Sequence, residues 1–87
     1  MMIYRLYTED IDRNNIINLV SRYYPGFNVR EAEGYYKGLM EKAIVIELVA
    51  MGSQAHVIRF LAKAIAQMNR QECVLVTSQP CKAEFVS

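Results

Sequence analysis

Polar and apolar residues alternate from Ile3 to Tyr7, the period of a half-buried strand. Thr8-Glu9-Asp10-Ile11-Asp12 follows with oxygens able to accept from the free N–H groups of a first helical turn, Asp12 or Asp10 being the N-cap. Ile16, Leu19, Val20 and Tyr23 then recur at helical spacing. Pro25-Gly26 closes that helix, because proline cannot continue the hydrogen-bond ladder and biases Tyr24 away from helix. Val29 to Lys37 and Ala43 to Met51 read as the arms of a β-hairpin, with Gly38 to Lys42 as its turn. Gly52-Ser53 breaks the second arm and caps another helix. There Val57, Ile58, Leu61, Ile65 and Met68 form one stripe, while His56, Arg59, Lys63 and Gln67 point away. Asn69 is its stop. Cys73 to Thr77 is a final strand, and Ser78-Gln79-Pro80 leads to a tail in which Ala83 to Val86 can pair as an extra edge strand.

The order is β-α-β-β-α-β. Hairpin adjacency and right-handed crossovers then leave an α+β, ferredoxin-like solution: one antiparallel sheet of order 4-1-3-2 with two helices on one face. Residues 1–78 form the single domain and 79–87 the tail.

An 87-residue chain buries only roughly 60–65% of its unfolded surface, so association would help it. At 53% hydrophobic, the composition suggests that a partner covers some apolar surface. Ten basic and nine acidic residues give a net charge of +1 without a basic run, which argues against sequence-independent binding to nucleic acid. No apolar stretch approaches the ~20 residues of a membrane span, and Met1-Met2-Ile3-Tyr4-Arg5 lacks the blocks of a signal peptide. Cys73 and Cys81 match no metal or redox spacing and read as reduced thiols, hence a cytoplasmic protein.

The segment Glu33-Gly34-Tyr35-Tyr36-Lys37-Gly38, with Glu41 and Ile44-Val45-Ile46-Glu47, resembles the hairpin of a family of small uncharacterised bacterial and phage proteins. Their pattern is G-Y-W-K-G, a Glu, then an apolar strand ending in Glu. Gln71-Glu72-Cys73-Val74-Leu75-Val76-Thr77 resembles their closing N-Q-E-x-V-L-V-T strand, and Tyr4-Arg5-Leu6-Tyr7 their opening one. Tyr36 stands where the family has Trp. The resemblance spans most of the chain and implies the fold, a phage or mobile-element origin and a host protein as target; it implies no activity.

Candidate chemistry is sparse. Tyr35 and Tyr36 lie on opposite faces of their strand, one packing under the helices and the other standing on the open face, either as an aromatic platform or in ordinary cross-strand packing. An RNA-recognition motif is absent: only Lys37-Gly38 stands where a longer aromatic signature would be needed. Arg5 and Glu47 fall mid-strand on the central strands and predict a cross-strand ion pair on the open face; the functional alternative is Glu47 as acid or base with Arg5 binding an anion. His56, the sole histidine, reads as a solvated side chain. No catalytic residue, metal site or cofactor is identified.

The open face carries Ile3, Arg5, Tyr7, Val45, Glu47, Val49 and Leu75. Contiguous apolar patches usually mark interaction sites. The first expectation is therefore a non-enzymatic interaction or regulatory protein, a homo-oligomer through this face (Ile3, Val45 and Val49 at the interface), with a host or cellular protein as further partner. The alternative is a dimeric α+β barrel enclosing a small-ligand pocket around Tyr7, Glu47 and Tyr35 or Tyr36. Weak RNA or DNA binding ranks third.

Overall fold

A computed structural model describes residues 1–87. Strand β1 spans Met2–Glu9, helix α1 Arg13–Ser21, β2 Asn28–Tyr36, β3 Leu39–Ala50, α2 Ala55–Asn69 and β4 Leu75–Pro80, with one 3₁₀ turn at Gly52–Gln54 before α2. The four strands form one antiparallel sheet in the order β2-β3-β1-β4, the expected order read from the other edge. The fold is ferredoxin-like.

Alternation decides which half of each strand is buried. Tyr4 and Leu6 of β1 and Ile44, Ile46, Leu48 and Ala50 of β3 face the helices. Ile16 and Val20 of α1, with Ile58, Leu61, Ala62 and Ile65 of α2, close over them to complete one core. These are the aliphatic residues that the two periodicities select, and their burial is the main term holding the domain together.

Five local expectations are corrected. First, α1 ends at Ser21, before Pro25-Gly26, in tight turns that bond Tyr23 N–H and Tyr24 N–H to the Val20 carbonyl, each at 3.0 Å. Tyr23 thereby leaves the buried stripe, and its ring meets that of Phe60 with centroids 5.7 Å apart. Asp12 occupies the N-cap position of α1 but its side chain caps nothing: it accepts from Asn15 Nδ2 at 2.7 Å, while Asp10 is held by Arg13.

Second, the hairpin turn is Lys37-Gly38 alone. Both residues hold positive φ, 51° and 79°, as a two-residue turn matching the strands' twist requires. Leu39 to Lys42, expected in the turn, pair with Tyr36 to Glu33. Third, the hairpin is consequently long enough to outrun the helices, and the molecule measures 41 × 23 × 23 Å. Tyr35 and Tyr36 therefore both stand exposed, and neither packs under a helix.

Fourth, β4 begins two residues late and continues through Pro80, across the boundary drawn at residue 78. Cys73 is held in the preceding loop, its carbonyl accepting from Gln71 Nε2 at 2.8 Å. Pro80 is tolerated because β4 is an edge strand. Residues 81–87 form no extra strand: after Cys81 N–H bonds the Met1 carbonyl at 3.0 Å, Phe85 and Val86 are exposed.

Fifth, Met68 is exposed and Asn69 takes its place in the interior. Arg70 then ends α2 in the left-handed conformation, φ 54°, and Gln71 N–H returns to the Ala66 carbonyl at 3.0 Å, the bonding of a Schellman cap.

Candidate interaction face

The face of the sheet away from the helices is assembled by register. Arg5 lies opposite Glu47, Ile3 opposite Val49, and Tyr7 opposite Val45 on the central strands. Pairing with β4 sets Leu75, Thr77 and Gln79 beside Tyr7, Arg5 and Ile3. Pairing with β2 sets Asn28 beside Glu47 and Arg30 beside Val45.

Arg5 Nε donates to Glu47 Oε2 at 2.8 Å, the expected ion pair. Arg30 Nη2 donates to the same oxygen at 2.7 Å, and Arg5 Nη1 reaches Gln79 Oε1 at 3.1 Å. Two guanidinium groups thus share one carboxylate, leaving one positive charge in excess at the centre of the face. Both bonds fall on Oε2, and the other Glu47 oxygen takes no hydrogen bond from either arginine. Each pair is partly solvated and contributes about 0–1 kcal/mol.

Around this centre lie Tyr7, Val49 and Leu75, at 36%, 42% and 60% exposure, with Ile3 and Val45 half-buried. All the open-face residues expected to form an apolar surface are there. Tyr36 extends the same face, opposite Leu39, whereas Tyr35 lies on the other face opposite Met40. Lys37 Nζ stands 5.4 Å from the Tyr36 ring centroid. Tyr35 and Tyr36 are thus distant in register from Tyr7 and Glu47, and a single chain does not gather them into one site.

Arg30 and Gln79 were not foreseen, nor was an acidic end to the face. Glu41 lies within β3 opposite Gly34 and meets Glu9. Burial, then the hydrogen bond and repulsion from Glu41, hold the Glu9 carboxyl above its usual range. The four ion pairs of the chain include neither residue. For Arg30 and Glu41 the signal was Lys37-Gly38 itself, a dipeptide whose glycine suits a two-residue turn and would have set the β2–β3 register.

On the helix side, Arg13 bridges Asp10 and, at 3.0 Å, Glu31. Its hydrogen bond lowers the Asp10 carboxyl, and the two carboxylates raise the guanidinium in turn. An open concavity of about 460 Å³ lies there, at the root of the overhanging hairpin, lined by Asp10, Glu31, Glu33, Lys42 and Met40 among others. It contains none of Tyr7, Glu47, Tyr35 and Tyr36.

His56 is exposed, with Nδ1 3.0 Å from the Ser53 carbonyl oxygen. Cys73 and Cys81 are unpaired. No group of three or more His, Cys, Asp or Glu side chains is arranged to hold a metal ion, and no helix is long and apolar enough to cross a membrane.

No protein-family model and no curated protein matches the chain. Among solved structures, it is similar to a DUF3240 family protein from Shewanella baltica OS155, with TM-score 0.75 and 15% identity over 99% of this chain and 96% of that one. A de novo designed protein with ferredoxin fold, LFR1 1, aligns over 99% of this chain and 89% of its own at TM-score 0.43 and 13% identity. The first likeness extends over nearly the whole of both chains; at that identity it establishes a shared fold, consistent with the resemblance to small uncharacterised bacterial proteins.

Proposed function

We propose that this chain is a non-enzymatic interaction protein that works as a homo-oligomer, with the open sheet face as the contact between copies. The observation that carries this reading is the continuity of Ile3, Tyr7, Val45, Val49 and Leu75 across three adjacent strands around the Arg5–Glu47–Arg30 cluster. Only 15 of 87 residues are buried although 53% are hydrophobic, so a single chain leaves much of its apolar surface in water. A second copy is the occupant the face suits, because it carries both an excess of positive charge and an unpaired acidic end. The other side of the overhanging hairpin, with Tyr35 and Met40 exposed, is left to engage a cellular protein. The unpaired thiols support a reducing, cytoplasmic setting.

Light scattering and sedimentation test the assembly. The wild type is expected to exceed its chain mass of 10.0 kDa at micromolar concentration. Val49→Asp, which places a charge in the buried patch of the assembly, should return it to monomer with its circular dichroism unchanged. A wild type that stays at one chain mass at high concentration rules the reading out.

A further inference from the structure

The open face has a charge pattern that one chain leaves unsatisfied. Along β3, Glu41 stands at one end, Ala43 and Val45 follow on the same face, and Glu47 comes next. Beside Glu47 are two arginines for one carboxylate; beside Glu41 is a second carboxylate, Glu9. The two ends therefore carry opposite net charge.

The spacing makes this pattern self-complementary. A twofold axis lying across the strands between the Ala43 and Val45 positions reverses strand direction and turns one face onto the other. It sets Glu41 of each copy over Glu47 of the other, and Ala43 over Val45. By the register, Glu9 lies beside Ala43 and Tyr7 beside Val45, so Glu9 of one copy meets Tyr7 of the other. Ala32 lies beside Ala43 and Arg30 beside Val45, so the long arginine meets the short alanine. Packed sheets lie about 10 Å apart, a gap that an arginine and a glutamate span together.

We infer that two copies associate face to face about this axis, with Glu41 of each inserted between Arg5 and Arg30 of the other. This inference rests on the homo-oligomer reading above and adds its symmetry and its pairing. Each cluster then holds two guanidinium groups and two carboxylates. The Arg30 side chain is 62% exposed in the single chain, free to take up the second acceptor. The same axis sets Leu39 of each copy over Val49 of the other, closing an apolar contact beside each cluster.

Sedimentation of Glu41→Arg, Arg30→Glu and the double variant tests the pairing. Each single reversal is expected to weaken dimerisation at least about tenfold, and the double variant to recover to within about threefold of wild type. Should Arg30→Glu disturb its own sheet through Glu47, the Gln cycle serves: Glu41→Gln and Arg30→Gln each weaken the dimer, and together they weaken it little further. A wild type that remains monomeric overturns both this inference and the reading beneath it. Assembly that Val49→Asp breaks but Glu41→Arg and Glu41→Gln leave unchanged overturns the inference alone. So does a wild-type mass of three chains, or a double variant whose losses simply add.

Discussion

Asn69, in the last turn of α2, donates through Nδ2 to Thr8 Oγ1 at 2.9 Å, joining the end of the second helix to the end of the first strand. The same nitrogen approaches the Glu9 carbonyl at 3.1 Å and Gln71 Oε1 at 2.9 Å, and Thr8 Oγ1 lies 2.7 Å from Gln71 Oε1. Thr8 and Asn69 are the buried polar residues of the domain. Their bonds hold β1 where Glu9 turns onto the open face and Asp10 begins the approach to α1.

Truncating Asn69 removes the donor to Thr8 Oγ1, a buried acceptor, and to two partly buried ones. Asn69→Ala is expected to cost about 2–3 kcal/mol in urea denaturation. Asn69→Asp should cost more at neutral pH, because it exchanges a donor for a charge beside the carbonyl oxygen of Glu9 and Oε1 of Gln71. Part of that loss should return on acidification. An Asn69→Ala variant as stable as wild type would leave the cluster without an energetic role.

The hairpin glycines predict opposite outcomes. Gly38 holds φ at 79°, and a Cβ added there would meet nothing within 4 Å, so any cost is backbone strain rather than collision. Gly38→Val should destabilise by about 1–3 kcal/mol. At Gly34 a Cβ would meet Ala43 Cβ and the Glu41 carbonyl oxygen at 3.7 Å each, ordinary contact. Gly34→Ala and Lys63→Ala should both stay within about 0.5 kcal/mol. Denaturation midpoints of the three variants in the Val49→Asp background, expected to be monomeric, decide between strain and crowding.

Adjacent carboxylates at the end of β1 respond to pH with opposite sign. Glu9 lies above its ordinary value of 4.5, through burial first and Glu41 second, so the folded chain holds its proton more tightly than the unfolded one. Stability from that proton is complete below the ordinary value and is lost as pH rises through the raised one. Asp10 lies below its ordinary 3.8, chiefly through the hydrogen bond from Arg13. Its contribution is present above that value and is lost as pH falls through the lowered one. In the Val49→Asp background, Glu41→Gln should therefore raise the midpoint at pH ~7 and lose that advantage near pH ~4, while Asp10→Asn should flatten the acid limb. A Glu41→Gln midpoint equal to the parent's at every pH would show that the two carboxylates do not interact.

The pairing of Arg5 with Glu47 was legible in the chain because both residues sit on strands whose apolar alternation is strong. Leu6 and Ile46 must face the core, and period two then sends their charged neighbours to the other face. The order of elements was legible for the same reason, and it left few topologies. Strand β2 has no such pattern: beyond Val29 it reads Arg30-Glu31-Ala32-Glu33-Gly34-Tyr35-Tyr36, with no apolar alternation to bind it to the core. A turn over Gly38 to Lys42 would pair Lys37 with Ala43, place Tyr35 on the open face and turn Arg30 toward the helices.

The hydrophobic periods of the sequence alone determined a ferredoxin-like sheet with a charged pair at the centre of its open face, since each strong strand admits only one burial pattern. Tertiary structure decided which side chains of β2 share that face. The two-residue turn pairs odd positions with even ones, and a shift of one residue in that pairing exchanges the two faces of the strand. Arg30 joins Glu47, Glu41 joins Glu9, and Tyr36 rather than Tyr35 extends the open face, because the backbone at Lys37 and Gly38 can turn in two residues.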